Sequence, residues 1–227
     1  MQNKYSFDAK NNNDDDNEDF APFPAFKQKK PYRQYEQTFQ FQHIHFYISE
    51  DIGEPNQYSE MTHRILLASQ NDVIYIHLNT SGGHLDTGVQ IINAMQSSAA
   101  KIITVLDGMA YSLGTLILLA GDEIIINDNC IAMFHNFRGG VVGKGNELTS
   151  QLEATVKWFA DLAKQIYIPF LSDEELNRIL KGEDLWMRST EIRKRLEKMA
   201  KILATKDLNK STKTPRAPKE KEKKEDE

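Results

Sequence analysis

Two hydrophobic rhythms alternate along the middle of the chain. Residues 39–48 are rich in aromatic and β-branched side chains and predict a strand; residues 73–78, VIYIHL, predict a second that ends at Asn79 and the Gly82–Gly83 pair. Residues 102–106, 123–126 and 132–135 add three more short strand-like runs. Between them the spacing changes to that of a helix. Residues 58–69 carry apolar side chains at helical intervals, residues 85–97 place Leu85, Val89, Ile92 and Met95 on one stripe, and a helix opens at 115–120. After a loop containing Gly139, Gly140, Gly143 and Gly145 comes a long helix at about 146–167, and a last one at about 189–204. Strand and helix alternating at short spacing predict an α/β fold with crossover helices.

The ends lack either rhythm. Residues 1–37 contain an Asn/Asp/Glu run at 11–19 and prolines at 22, 24 and 31, and 205–227 is a mixed-charge stretch with two prolines. Both are expected to be tails around one domain at 38–204, because neither has enough apolar surface to repay the cost of ordering. The aromatics Phe20, Phe23, Phe26 and Tyr32 suit a short linear docking motif. A length of 227 residues accommodates one sizeable core. A net charge of −5 argues against a nucleic-acid partner held by a basic surface. The single cysteine, Cys130, forbids an internal disulfide and suits a reducing cytoplasm. No signal-like apolar segment opens the sequence, and the most apolar stretch, 108–121, is closed by Asp107 and Asp122 and falls short of the roughly 20 residues that span a bilayer. A cytoplasmic chain without a membrane partner is expected.

Four places carry candidate chemistry. Asn79-Thr80-Ser81-Gly82-Gly83 follows a buried strand, and paired glycines there let backbone amides approach a ligand, either as an oxyanion site or as a plain strand-to-helix turn. Ser112, in Ala110-Tyr111-Ser112-Leu113-Gly114, sits between strand and helix, where a serine serves as a nucleophile or as an N-cap. The Leu113 amide would face the same centre as Gly83. His135 ends an apolar strand and has the side chain suited to proton transfer near neutral pH, although core histidines share that setting. Asp184, in Gly182-Glu183-Asp184-Leu185-Trp186-Met187, is one of many acidic residues, either a carboxylate that orients a histidine or a solvated loop aspartate. His43 and His45 share a strand face with no third metal ligand in view, and His63, His77 and His84 lack comparable context.

The order and surroundings of these residues resemble the Clp protease family. Asn79-Thr80-Ser81-Gly82-Gly83 is similar to the family's Asn-Ser-Pro-Gly-Gly, and Gly108-Met109-Ala110-Tyr111-Ser112-Leu113-Gly114 to its Gly-x-Ala-Ala-Ser-Met-Gly. Leu118-Leu119-Ala120-Gly121 resembles the Leu-Leu-x-Ala-Gly that follows. Met133-Phe134-His135-Asn136-Phe137 resembles Met-Ile-His-Gln-Pro, and Asp184, Trp186, Met187, Ser189 and Glu191 keep the order around the family's aspartate. The resemblance covers about residues 40–196. It implies a Clp-protease/crotonase-like α/β fold of repeated β-β-α units with a protruding handle helix. It also implies serine-type endopeptidase activity without ATP, metal or organic cofactor in the hydrolysis itself. Ser112 would be the nucleophile, His135 the base and acid, and Asp184 the orienting carboxylate. Gly83 and Leu113 would form the oxyanion hole, and Gly82, Arg138, Gly139 and Gly140 would hold an extended peptide by strand addition.

Assembly into stacked homo-oligomeric rings is implied as well, with an AAA+ unfoldase or a viral capsid as partner and peptides or unfolded proteins as substrates. The stripe Leu148, Leu152, Val156, Phe159, Leu162 and Ile166 marks the handle, or else packs on its own domain. The departures are Tyr111 for a small residue, Ser81 for proline, Asn136-Phe137 for Gln-Pro, and Glu191–Leu196 where the family ends near Gly-Leu-Ile-Asp. Tyr111 and the altered segment at Glu191–Leu196 keep open an inactive ring subunit; a crotonase-like acyl-CoA enzyme, which shares the fold and a Gly-containing oxyanion hole, is a third reading but would not need Ser, His and Asp in this order.

Overall fold

The computed structural model describes residues 40–140 and 142–211. Strand β1 (His43–Ile48), helix α1 (Ser59–Leu66), strand β2 (Val73–Thr80), helix α2 (Leu85–Ser97) and strand β3 (Lys101–Tyr111) form two successive parallel crossovers. Alternation in β2 explains why it is a strand. Ile74, Ile76, Leu78 and Thr80 are fully buried beneath the helices, while Tyr75 and His77 point to the opposite face. Each of those aliphatic side chains contributes about 1.5–3 kcal/mol by leaving water.

Helix α3 (Leu113–Leu119) follows β3 at once, then β4 (Glu123–Ile126) and β5 (Ile131–Phe134). The strand order is β1-β2-β3-β5-β6, with β4 also paired to β3. Strand β3 changes neighbour along its length: Ile103 to Leu106 pair with β4, and Met109 to Tyr111 pair with β5. The expected strand at 102–106 therefore runs on to Tyr111. Asp107 to Tyr111 have modest strand propensity of their own, but β5 and the Thr80–Ala110 pairing hold them extended. Ser112 is thus carried on the end of a strand anchored on both sides.

The apolar stripe of helix α4 (Gly145–Tyr167) is only partly covered by its own domain. Phe159, Ala163, Ile166 and Tyr167 are buried on the domain, whereas Leu152 and Val156 remain about half exposed. Helix α5 (Asp173–Leu180) and strand β6 (Leu185–Arg188), neither anticipated, follow. Helix α5 starts with a capping box in which the Glu175 amide donates to Ser172 Oγ (3.2 Å) and the Ser172 amide donates to Glu175 Oε2 (2.9 Å). Strand β6 is antiparallel to β5, and helix α6 (Ser189–Ser211) runs past the expected end at 204. The tail expectations for 1–37 and 212–227 lie outside the described residues. Among the described residues no helix is long and apolar enough to cross a membrane.

Candidate active site

Ser112 occupies the junction between β3 and α3 with φ 54° and ψ −120°, a conformation that costs a non-glycine residue about 1–3 kcal/mol. Its amide donates to the Met133 carbonyl (2.8 Å), and its own carbonyl accepts from the Thr115 amide (3.0 Å) and hydroxyl (2.6 Å). Position alone would make Ser112 the N-cap of α3, yet its hydroxyl caps nothing. The backbone is pinned on both sides while the hydroxyl stays free, as in a strand-to-helix turn that presents a nucleophile.

Gly82 and Gly83 are pressed against this turn. A Cβ on Gly82 (φ +98°) would lie 2.8 Å from the Tyr111 carbonyl oxygen, 2.9 Å from Ser112 Cβ and 3.1 Å from the Leu113 nitrogen. The segment is clamped by the loop after β1. Ile52 N donates to the Gly82 carbonyl (2.7 Å), His84 N donates to the Ile52 carbonyl (2.9 Å), and the Thr80 hydroxyl donates to the Glu50 carbonyl (2.6 Å). Ser81, which stands where the family has proline, bonds the Asp51 carboxylate through its hydroxyl, so a side-chain tether restrains the turn in place of a ring. The Gly83 and Leu113 amides donate to no partner among the described residues, as oxyanion donors must.

Ser112 and His135 line one cavity of about 620 Å³ together with Gly83 and Leu113. Arg138, Gly139 and Gly140 form another wall of it, and Gly82 backs onto Ser112 from behind. His135 directly follows β5. The next residue fixes that strand end, because Asn136 Nδ2 donates to the Leu180 carbonyl (2.9 Å) and Asn136 Oδ1 accepts from the Phe137 amide (2.9 Å). Phe137 then packs its ring on Phe159 of α4, at 5.2 Å between centroids. Asn136-Phe137 therefore does by side-chain bonding and packing what Gln-Pro would do by ring stiffness.

Asp184 is not in the cavity; it is exposed and directly precedes β6. In the β5–β6 ladder Phe134 pairs with Leu185, so the next step of the same register sets His135 opposite Asp184. Among the described residues no hydrogen bond joins Ser112, His135 and Asp184 to one another. The hydroxyl and imidazole share a cavity, and the carboxylate is adjacent by register only.

Three features escaped the sequence reading. His84 lines the same cavity, with Nδ1 3.5 Å from Glu54 Oε1; its position directly after Gly83 was the available signal. Tyr167 closes the floor, fully buried, its hydroxyl 2.7 Å from Thr115 Oγ1, and burial pushes its phenol well above the usual range. Tyr111 and Trp186, flanking the serine and the aspartate, meet edge to face at 5.2 Å across β5. No group of three or more His, Cys, Asp or Glu side chains among the described residues is placed to hold a metal ion.

The profile of the family described as Clp protease matches residues 27–193, most of the chain. This chain belongs to the Clp protease family. The ATP-dependent Clp protease proteolytic subunit 1 of Leifsonia xyli subsp. xyli is 30% identical over 112 residues, which is 47% of this chain and 56% of that protein. The ATP-dependent Clp protease proteolytic subunits of Borreliella afzelii and Chlamydomonas reinhardtii are each 25% identical, over 56% and 47% of this chain and 64% and 21% of theirs. The chain thus matches less than two thirds of the length of each of these relatives. Its mixed α/β architecture around one central sheet agrees with that membership.

Proposed function

We propose that the chain is a serine endopeptidase acting through an acyl-enzyme, with Ser112 as nucleophile. The observation that carries this reading is the strained, anchored Ser112 with a free hydroxyl, sharing a cavity with His135 beside two unpaired backbone amides. A peptide would lie extended along Arg138-Gly139-Gly140 on one side and Gly82 on the other, pairing by its backbone. Ser112 Oγ attacks the scissile carbonyl as His135 takes its proton, and the oxyanion is received by the Gly83 and Leu113 N–H groups. The tetrahedral adduct collapses when His135 returns that proton to the leaving amine, which leaves an ester on Ser112. Water, deprotonated by His135, then releases the acid. Asp184, one register step beyond the Phe134–Leu185 pair, would orient the imidazole and stabilise its charged form.

The assembled form would be stacked rings of this chain, to which the half-exposed Leu152 and Val156 on α4 would contribute. The setting would be a reducing cytoplasm, consistent with a single, free, buried cysteine. Peptides or unfolded proteins delivered by an AAA+ unfoldase, or a capsid protein under maturation, are the substrates this reading allows. Ser112→Ala should abolish peptide cleavage and fluorophosphonate labelling while leaving the assembled mass unchanged. Unchanged turnover in that variant would refute the assignment.

One observation favours a second reading. Ser112, His135 and Asp184 are not hydrogen-bonded to one another, as suits a ring subunit retained for assembly alone. Purified, assembled protein that takes up no fluorophosphonate would support it. A crotonase-like role would instead require tight acyl-CoA binding.

A further inference from the structure

The sheet face turned away from the helices carries a second cluster, unconnected with peptide hydrolysis. Strands β1 and β2 alternate imidazole and phenol rings there. His45 stacks on Tyr75, 4.5 Å between centroids and 3° between planes, and Tyr47 stacks on His77 at 4.3 Å and 14°. The parallel register sets His45 beside Tyr75 and Tyr47 beside His77, so the two histidines are diagonal neighbours across the strand pair. Their ring nitrogens meet: His45 Nδ1 lies 3.1 Å from His77 Nε2. The other nitrogen of His77, Nδ1, lies 2.9 Å from Asp107 Oδ2 on β3, and Asp107 Oδ1 accepts from Asn127 Nδ2 at 2.8 Å. The His77 side chain is 16% exposed and that of Asp107 34%, whereas His45 is open to solvent.

This chain of contacts decides a tautomer. A carboxylate only accepts, so neutral His77 carries its proton on Nδ1 and leaves the Nε2 lone pair directed at His45. In the tautomer of His45 protonated on Nε2, a second bare nitrogen faces the first. The same pair that shares a proton when metal-free then offers two adjacent ligands. Metal–nitrogen bonds of about 2.0–2.1 Å spanning that gap subtend roughly 98° at the metal, between tetragonal and tetrahedral angles. A ligating histidine backed by a carboxylate on its far nitrogen is the usual outer-shell arrangement of metal sites.

We propose that His45 and His77 form a two-imidazole site for a late first-row divalent cation, with Asp107 and Asn127 as positioning residues and water in the remaining positions. Two nitrogen ligands favour Cu²⁺ over Ni²⁺ and Zn²⁺, and disfavour Ca²⁺ and Mg²⁺, which take oxygen. Bound metal would join edge strand β1 to β2. The partner of His45 in this site is His77 on the neighbouring strand; His43, two residues along the same strand, packs against Phe41 and Tyr75 instead.

The test is Cu²⁺ titration of the full chain by calorimetry, with electron paramagnetic resonance of the one-equivalent sample. The expected result is one saturable Cu²⁺ with two-imidazole hyperfine structure and a raised midpoint of thermal unfolding. Both signatures should be lost in His45→Gln and in His77→Gln and kept in His43→Gln and Ser112→Ala. Asp107→Asn should weaken binding about 10–100-fold without removing it. Metal-free melts of each variant establish that it is folded. Copper binding that is unchanged in the His45→Gln, His77→Gln double variant, or no saturable binding by the parent, overturns the proposal and leaves the peptidase reading untouched.

Discussion

Replacing Gly82 with alanine tests how tightly the glycine turn is built against the serine. The new Cβ would meet the Tyr111 carbonyl oxygen at 2.8 Å, Ser112 Cβ at 2.9 Å and the Leu113 nitrogen at 3.1 Å. None of these is the far end of a flexible side chain: two are backbone atoms and the third is fixed by the backbone of Ser112. Relief therefore requires moving the β3–α3 junction or the clamped turn. The conformation itself, φ +98°, costs an L-residue about 1–2 kcal/mol. Forced overlap in a packed region adds about 1–3 kcal/mol, so the total is about 2–5 kcal/mol. Urea unfolding of the full chain, followed by the fluorescence of Trp158 and Trp186, measures this directly. The control is Gly140→Ala, where a Cβ meets nothing within 4 Å and the change should stay within about 0.5 kcal/mol. Because any accommodation shifts Ser112, the fraction of Gly82→Ala that remains folded should also label more slowly with fluorophosphonate. A Gly82→Ala variant as stable as the parent, or no more destabilised than Gly140→Ala, would show that the turn does not press on Ser112.

Among the two histidines of the cavity, His135→Ala should lower peptide cleavage by at least about 10²-fold, the scale of a lost general base, while His84→Ala should change kcat by far less; equal losses would reverse the assignment. Asp184→Asn should lower kcat by up to about 10⁴-fold with little change in labelling-independent assembly, as expected when a histidine loses its orienting carboxylate. The Arg195 guanidinium, by hydrogen bonding, holds the Glu175 carboxyl at about 2, against the usual 4.5. A depressed carboxylate pKa contributes stability that is whole above pH 4.5 and lost as pH falls through about 2. The contribution is at most about 3 kcal/mol and less in practice, because the pair is partly exposed. Glu175→Gln should therefore flatten the acid limb of the urea midpoint between those pH values. Val156→Asp should reduce the mass of the assembled protein in sedimentation without lowering the unfolding midpoint by more than about 0.5 kcal/mol, since Val156 is half exposed on its own domain.

The parts of the fold legible in the sequence were those whose pattern follows from burial on one face. Ile74, Ile76 and Leu78 alternate because one side of β2 is covered; on α2, Ile92 and Met95 of the expected stripe are buried, but the covered face turns toward Ile91 and Ala94 and leaves Leu85 and Val89 half-buried. Strand β6 has only four residues, one of them fully buried, and no local pattern distinguishes it from loop. Helix α5 did carry a signal, Ser172 three residues before Glu175, but a short polar helix offers no long periodicity to support it. The extension of β3 to Tyr111 is tertiary: Met109, Ala110 and Tyr111 are strand because β5 pairs with them. For the site, Gly83, Ser112, Leu113 and His135 each carried only a weak local signal, and their order along the chain made them legible; what fixes them is long-range, such as Ile52 on the glycine turn and Met133 on Ser112. The meeting of all four at one centre was expected only through the family resemblance; in the structure it rests on the Thr80–Ala110 pairing and on Phe137 of the β5 loop packing against Phe159.

Asp184, the carboxylate proposed to orient His135, shows why such a residue is hard to find. Its place is set by how β6 registers on β5, and nothing near Asp184 in sequence specifies that register. A slip of one residue would turn Met187 outward and Trp186 inward, exchanging a buried side chain for a half-exposed indole that packs on Tyr111. It would also bring Glu183 or Leu185 opposite His135. Arg178 holds the Glu183 carboxylate in a bidentate ion pair, whose hydrogen bonds lower its pKa and tie the segment before β6 to α5. Of the two adjacent carboxylates, Glu183 is paired with Arg178 of α5, and Asp184 stands exposed at the register step after Leu185. The position of the proposed orienting carboxylate thus depends on an arginine outside the cavity and a buried methionine three residues along, both of which act on the register and neither on the chemistry.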